Sequence, residues 1–160
     1  MKSIKLLFAL FFAGTLSSFA QTSDAEVEAM VNLLGVQKKE AVAQMVKVTG
    51  KDSVAFWKIY DEYQMGNKKT GTDRIKLYEK TAMAYNNMTP QRADSLANQQ
   101  FVLRMEQEKT LETYYNKIKA ATNATIAFQF YQAETYLLTL LRAQIMAQIP
   151  TYGELQLSKK

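Results

Sequence analysis

The chain contains neither cysteine nor histidine, and only two prolines and six glycines interrupt its 160 residues. Without histidine, the Ser-His-Asp and Cys-His forms of nucleophilic catalysis are excluded. Without either residue, the usual nitrogen and sulfur ligands of zinc and copper sites are missing as well. Disulfides cannot contribute to stability, so the fold has to be held by packing. Neither a glycine-rich phosphate loop nor a dinucleotide fingerprint occurs. The methionines at 30, 45, 65, 83, 88, 105 and 146 are scattered without a short repeat, which suits core filling better than soft-metal binding. The carboxylate pairs Asp61-Glu62 and Glu106-Glu108 read as solvated helix residues rather than acid/base pairs. The expectation is a protein that is not an enzyme and carries no cofactor and no metal.

Strong charge of one sign is also missing. The formal net charge is +5, and it is spread along the chain. The densest basic cluster, Lys68 to Lys80, is interrupted by Asp73 and Glu79. Nucleic-acid binders concentrate Lys and Arg into a stripe; this cluster reads as a solvated helix face, and no nucleic-acid partner is expected.

What is present begins with "MKSIKLLFALFFAGTLSSFA". Lys2 and Lys5 precede an apolar run from Leu6 to Leu16, and Ser18-Phe19-Ala20 ends it. That order predicts a signal peptide over residues 1–20, with a single helical domain over 21–160. Together with the lack of cysteine, it points to an exported protein of an envelope compartment, most simply the periplasm. The helical core is expected over about 24–149, with a short tail over 151–160.

Between its few breakers the chain reads as helix throughout, so the fold class is all-α. Ser23 and Glu26 form a capping box, and Gly35 marks a place where a helix could end or kink. Ala41, Val42, Met45 and Val46 recur at helical spacing before Gly50. Phe56, Ile59, Tyr60 and Tyr63 share the next face, and "GNKKTG" at 66–71 predicts a loop. A stripe of Ile75, Tyr78, Ala82 and Tyr85 follows. Thr89-Pro90 then starts a helix with no breaker for about thirty residues.

The last helical stretch, "NATIAFQFYQAETYLLTLLRAQIMAQIP" over 123–150, carries only Glu134 and Arg142 as charges. Ile126, Phe130, Ala133, Leu137 and Leu140 form one stripe; Phe128, Tyr131, Leu138, Ile145 and Ile149 form another. A helix apolar on two sides is covered on two sides. Its two charges and four glutamines make a membrane span costly, so no transmembrane segment is expected in the mature chain. The architecture that follows is a long antiparallel helical hairpin wrapped by shorter N-terminal helices. Glu134 and Arg142 stand too far apart to pair, and each needs a partner on a neighbouring helix. A turn near 122 puts Glu134 within reach of Lys109 or Tyr114, and Arg142 one turn from Glu106. Both are expected to be structural buried charges that fix helix register.

Trp57, Tyr60 and Tyr63 accompany Lys58, Arg74, Lys76 and Lys80 on the preceding helices. Amphipathic aromatics beside long basic side chains suit contact with a client or partner protein. They equally suit the edge of a slim bundle with hydroxyls at its rim. Slender helices leave little thickness in which to bury these faces, and a second copy would cover them, so a homodimer is expected.

"VTGKDSVAFWKIYDEY" (48–63) and "NMTPQRADSL" (87–96) resemble the Spy/CpxP-like proteins of the bacterial envelope, small exported helical proteins marked by LTxxQ helix starts. "YYNKIKAAT" and the "FYQAE" segment at 130–134 are similar to the C-terminal hairpin of an envelope branch of that group. The resemblance implies a cradle-like dimeric bundle that binds non-native proteins without ATP, as a periplasmic chaperone or adaptor. The alternative it leaves open is a non-catalytic envelope stress-sensing or structural protein with one dedicated partner.

Overall fold

The computed structural model describes residues 24–148. The expected leader over 1–20 and tail over 151–160, the capping residue Ser23 and the stripe residue Ile149 lie outside the described residues, as does the Ile145 side chain. Among the described residues there are four α-helices and no strand: α1 Asp24–Met45, α2 Gly50–Ala84, α3 Pro90–Ala121 and α4 Ala124–Gln148. The chain is all-α, and no helix among the described residues is long and apolar enough to cross a membrane.

Local chemistry sets most of the boundaries. Thr89 is the N-cap of α3, its hydroxyl accepting from the Arg92 N–H at 3.2 Å, and Pro90 occupies the first turn where no N–H is needed. Asn123 does the same for α4, its side-chain oxygen accepting from the Ile126 N–H at 3.0 Å. The turn between them is only Thr122-Asn123, so α4 packs directly on α3. Pairing across α2 and α3 runs in opposite directions: Lys117 faces Glu62, Gln107 faces Arg74 and Gln99 faces Lys80.

One expectation is overturned here. Residues 66–71 do not form a loop, and Gly35 does not end α1; α2 is a single helix of 35 residues, longer than the 32 of α3. Two glycines cost such a helix roughly 1 kcal/mol each relative to alanine. Packing on both flanks offsets that. An added Cβ at Gly71 would lie 3.5 Å from a Val31 methyl, at ordinary van der Waals contact, so α1 packs against this turn of α2. Lys69 and Asp73 add an ion pair at 2.6 Å one turn apart. Gly66 has ordinary helical φ, and an added Cβ would meet only the Tyr114 hydroxyl at 3.8 Å. Gly66→Ala is therefore expected to stabilise the protein by about 0.5–1 kcal/mol in urea unfolding. A loss of stability would return 66–71 to a loop.

The main core collects Ala41, Val42 and Val46 from the end of α1 and its linker, and Phe56, Tyr60 and Tyr63 from α2. Leu111 and Ile118 of α3 join it, with Ile126, Ala127, Phe130, Ala133 and Leu137 of α4. The first expected stripe of α4 is thus interior, except that Leu140 is half-buried. The second is not covered: Phe128 is 55% exposed, and Tyr131 and Leu138 are half-buried. The stripe Ile75, Tyr78 and Ala82 of α2, with Tyr85 just past its end, is half-buried, and Leu77 and Ala84 point inward instead. These two form a smaller cluster with Leu96 near the α2–α3 connection.

Candidate functional site

The two charges of α4 have separate fates. Glu134 is completely buried. Its Oε1 accepts from the Tyr60 hydroxyl at 3.0 Å, and its Oε2 accepts from the Tyr63 hydroxyl at 2.6 Å and from Lys38 Nζ at 3.0 Å. Tyr60 and Tyr63 sit three residues apart on α2, so both hydroxyls reach one carboxylate on the facing helix. Lys38 enters from α1, its ammonium 4.9 Å from the centre of the Tyr63 ring. Gln64, one turn beyond Tyr60, donates to the Tyr60 hydroxyl at 3.2 Å and to the Gly35 carbonyl at 2.9 Å. One carboxylate therefore ties three helices together.

Burial, followed by the nearby Glu134 charge and the hydrogen bond to it, pushes both tyrosine hydroxyls well above their ordinary range. The folded protein keeps both protons above about pH 10, where an unfolded chain sheds them. The network's contribution is fully present below that pH and is lost above it. For each of the two tyrosines, stability should fall by about 1.4 kcal/mol per pH unit beyond about pH 10. Tyr60→Phe should flatten that alkaline slope by one such step in urea titrations; an unchanged slope would remove Tyr60 from the network.

These contacts correct the expected partners. Lys109 is exposed, and Tyr114 lays its ring against Tyr63 at 5.2 Å without reaching Glu134. Arg142 makes no ion pair with Glu106, which is exposed; it lines a small recess with Arg74, Leu103 and Arg104. The expected protein-contact surface also divides. Tyr60 and Tyr63 are interior and unavailable to a partner. Trp57 is half-buried, edge-on to Phe56 at 4.9 Å, with Lys39 Nζ 5.6 Å from its ring. Lys58 is exposed. Lys76 pairs with Asp24 at 2.5 Å, and Lys80 donates to Gln99 at 3.2 Å. Arg74 is half-buried and donates to Gln107 at 2.8 Å.

Lys38 was not among the expected site residues. The Tyr-x-x-Tyr spacing on the core-facing stripe of α2 was the available signal that two hydroxyls need a buried acceptor.

Beside the network, α1, α2 and α4, with Gln107 of α3, line a partly open cavity of about 350 Å³. Lys38, Tyr63 and Gln64 form part of its lining, with Val31, Leu34, Ile75, Leu137, Leu138 and Leu141 as apolar walls and Lys39, Lys68, Asp61, Arg74 and Gln107 among its polar residues. That volume falls at the lower end of the range for small-molecule sites. Glu134 has both oxygens engaged by three donors, so its evident role is to hold helices in place. No group of three or more metal-ligating side chains occurs among the described residues. Compared with known proteins, the chain matches no family model, no curated protein and no solved structure.

Proposed function

We propose that this is a non-catalytic, exported protein that binds non-native polypeptide in the periplasm without ATP, in the manner of the Spy/CpxP-like proteins its sequence resembles. The observation that supports this reading is an apolar run on the outside of α3. Phe101, Val102 and Met105 are 58%, 48% and 64% exposed. Phe101 and Met105 stand one turn apart on the same helix face, flanked by Arg104 and Glu106. Large apolar side chains in open solvent, rimmed by charge, suit transient contact with apolar segments of other proteins. The contact surface moves accordingly, from the aromatics of α2 to α3. Pairing with a second copy belongs to the same proposal, since it would cover part of this apolar area.

A chaperone of this kind suppresses aggregation of several unrelated denatured proteins at near-stoichiometric ratios. Phe101→Ser combined with Met105→Ser should abolish most of that suppression. Both sites are exposed, so the melting temperature should change little. A protein that suppresses nothing, yet retains one species from an envelope extract, would be a dedicated partner protein instead.

A further inference from the structure

Five ion pairs link the described residues, and every one of them uses lysine: Lys38–Glu134, Lys39–Asp61, Lys69–Asp73, Lys76–Asp24 and Lys117–Glu62. The arginines are left out. Three of them, Arg74, Arg104 and Arg142, converge on one recess of about 20 Å³ between α2, α3 and α4. No Asp or Glu among the described residues lines that recess. Arg74 is half-buried and its recorded partner is the neutral Gln107. Burial lowers the Arg74 guanidinium from its usual value, and the like charge of Arg142 acts in the same direction. Arg74 and Arg142 are half-buried and Arg104 is exposed; like charges brought together at a partly buried site repel, and an anion placed among them removes that cost. The guanidinium fork suits a carboxylate or phosphate, which it can bind through two parallel hydrogen bonds.

The recess itself has room for about one water-sized group, hence for a head-group oxygen rather than a whole ligand. Arg74 and Gln107, however, line both the recess and the 350 Å³ cavity. Val31, Leu34, Leu137, Leu138 and Leu141 give that cavity its apolar walls. Of the lysines that also line it, Lys38 and Lys39 are already paired with Glu134 and Asp61, and Lys68 is exposed to solvent. A partly open, largely apolar cavity whose half-buried Arg74 has a neutral side-chain partner suits an occupant with an apolar tail and an anionic head.

We propose that the cavity binds a single-chain amphiphile with an anionic head, such as a medium- or long-chain carboxylate, its tail among the leucines and its head on Arg74 and Arg142. This goes beyond polypeptide binding on the outer face of α3, uses none of the same apolar side chains, and stands whether or not the protein is a chaperone.

Calorimetric titration of the full chain with octanoate, decanoate and dodecanoate, each below its micelle concentration, tests the proposal. Each added methylene should tighten binding about fourfold until the cavity is filled. Acetate, which has no tail, should not bind measurably, and dodecanol, which has no charge, should bind at least tenfold more weakly than dodecanoate. Arg142→Gln and, separately, Arg74→Gln should each weaken dodecanoate at least tenfold. Leu138→Trp, which fills the cavity, should abolish binding of dodecanoate; if Arg74→Gln fails to fold, Arg142→Gln and Leu138→Trp still decide. Equal binding of dodecanol and dodecanoate would overturn the head-group assignment. Absence of dodecanoate binding would overturn the whole proposal, including the case in which vesicles of phosphatidylglycerol bind and the monomeric amphiphile does not.

Discussion

Lys38→Met is expected to destabilise the protein by about 3–5 kcal/mol, because it leaves a buried carboxylate without the one cation that pairs with it among the described residues. Glu134 has no solvent contact, and the Lys38 side chain is only 15% exposed. The two tyrosine hydroxyls still donate, yet they carry no charge to balance Glu134. Against a total stability of about 5–15 kcal/mol for a domain of this kind, such a loss is large. The double variant Lys38→Met with Glu134→Gln separates charge from shape. A neutral amide can accept from one tyrosine through its oxygen and donate to the other through its nitrogen, so the pair should recover most of the loss, with a coupling of about 2–3 kcal/mol in the double-mutant cycle. Urea unfolding measures all four corners. If Lys38→Met costs less than about 1 kcal/mol, the pair behaves like a surface ion pair and Glu134 is not the tie between α1, α2 and α4.

Much of this network was legible in parts and not as a whole. A lone Glu in an apolar helix had to be buried and had to find partners, and both followed from the cost of burying a charge. Which partners was a question of which helix lies against which face. The α3–α4 turn suggested Lys109 and Tyr114, because sequence neighbours are the natural first choice. The structure instead turns the Glu134 face of α4 toward α1 and α2, so residues 96, 74 and 71 positions away supply the bonds. Distances of that kind are set by packing and leave no local trace. The α3 boundaries were readable because a capping threonine and a proline act through local geometry alone. The glycines at 66 and 71 misled for the converse reason. Their helical cost is local and visible, whereas the packing of Val31 of α1 against the turn at Gly71 is not. The exposed α3 triplet, Phe101-Val102 and Met105, lay in a helix that was correctly placed, but exposure depends on what the other three helices leave uncovered.

The ring cluster behind Glu134 carries the other large effect. Phe130 is completely buried on α4, and three α2 rings meet it edge-on: Tyr63 at 5.3 Å, Tyr60 at 6.2 Å and Phe56 at 6.5 Å. Edge-to-face pairs add to what burial alone contributes. Phe130→Ala removes the shared partner of all three and opens a void that close-packed neighbours can only partly fill. The expected loss is about 3–5 kcal/mol. The upper end applies here, because Tyr60 and Tyr63 are also the rings whose hydroxyls hold Glu134. Freed rings would loosen those bonds, so the variant should lose part of the alkaline slope of the parent protein as well as stability. Phe130→Leu keeps most of the volume and should cost no more than about 1.5 kcal/mol, with the alkaline slope retained. Urea midpoints at neutral and alkaline pH distinguish the two. Were Phe130→Ala to cost as little as Phe130→Leu, the aromatic cluster would be loosely packed, and the placement of the tyrosine hydroxyls would have to come from the hydrogen bonds alone.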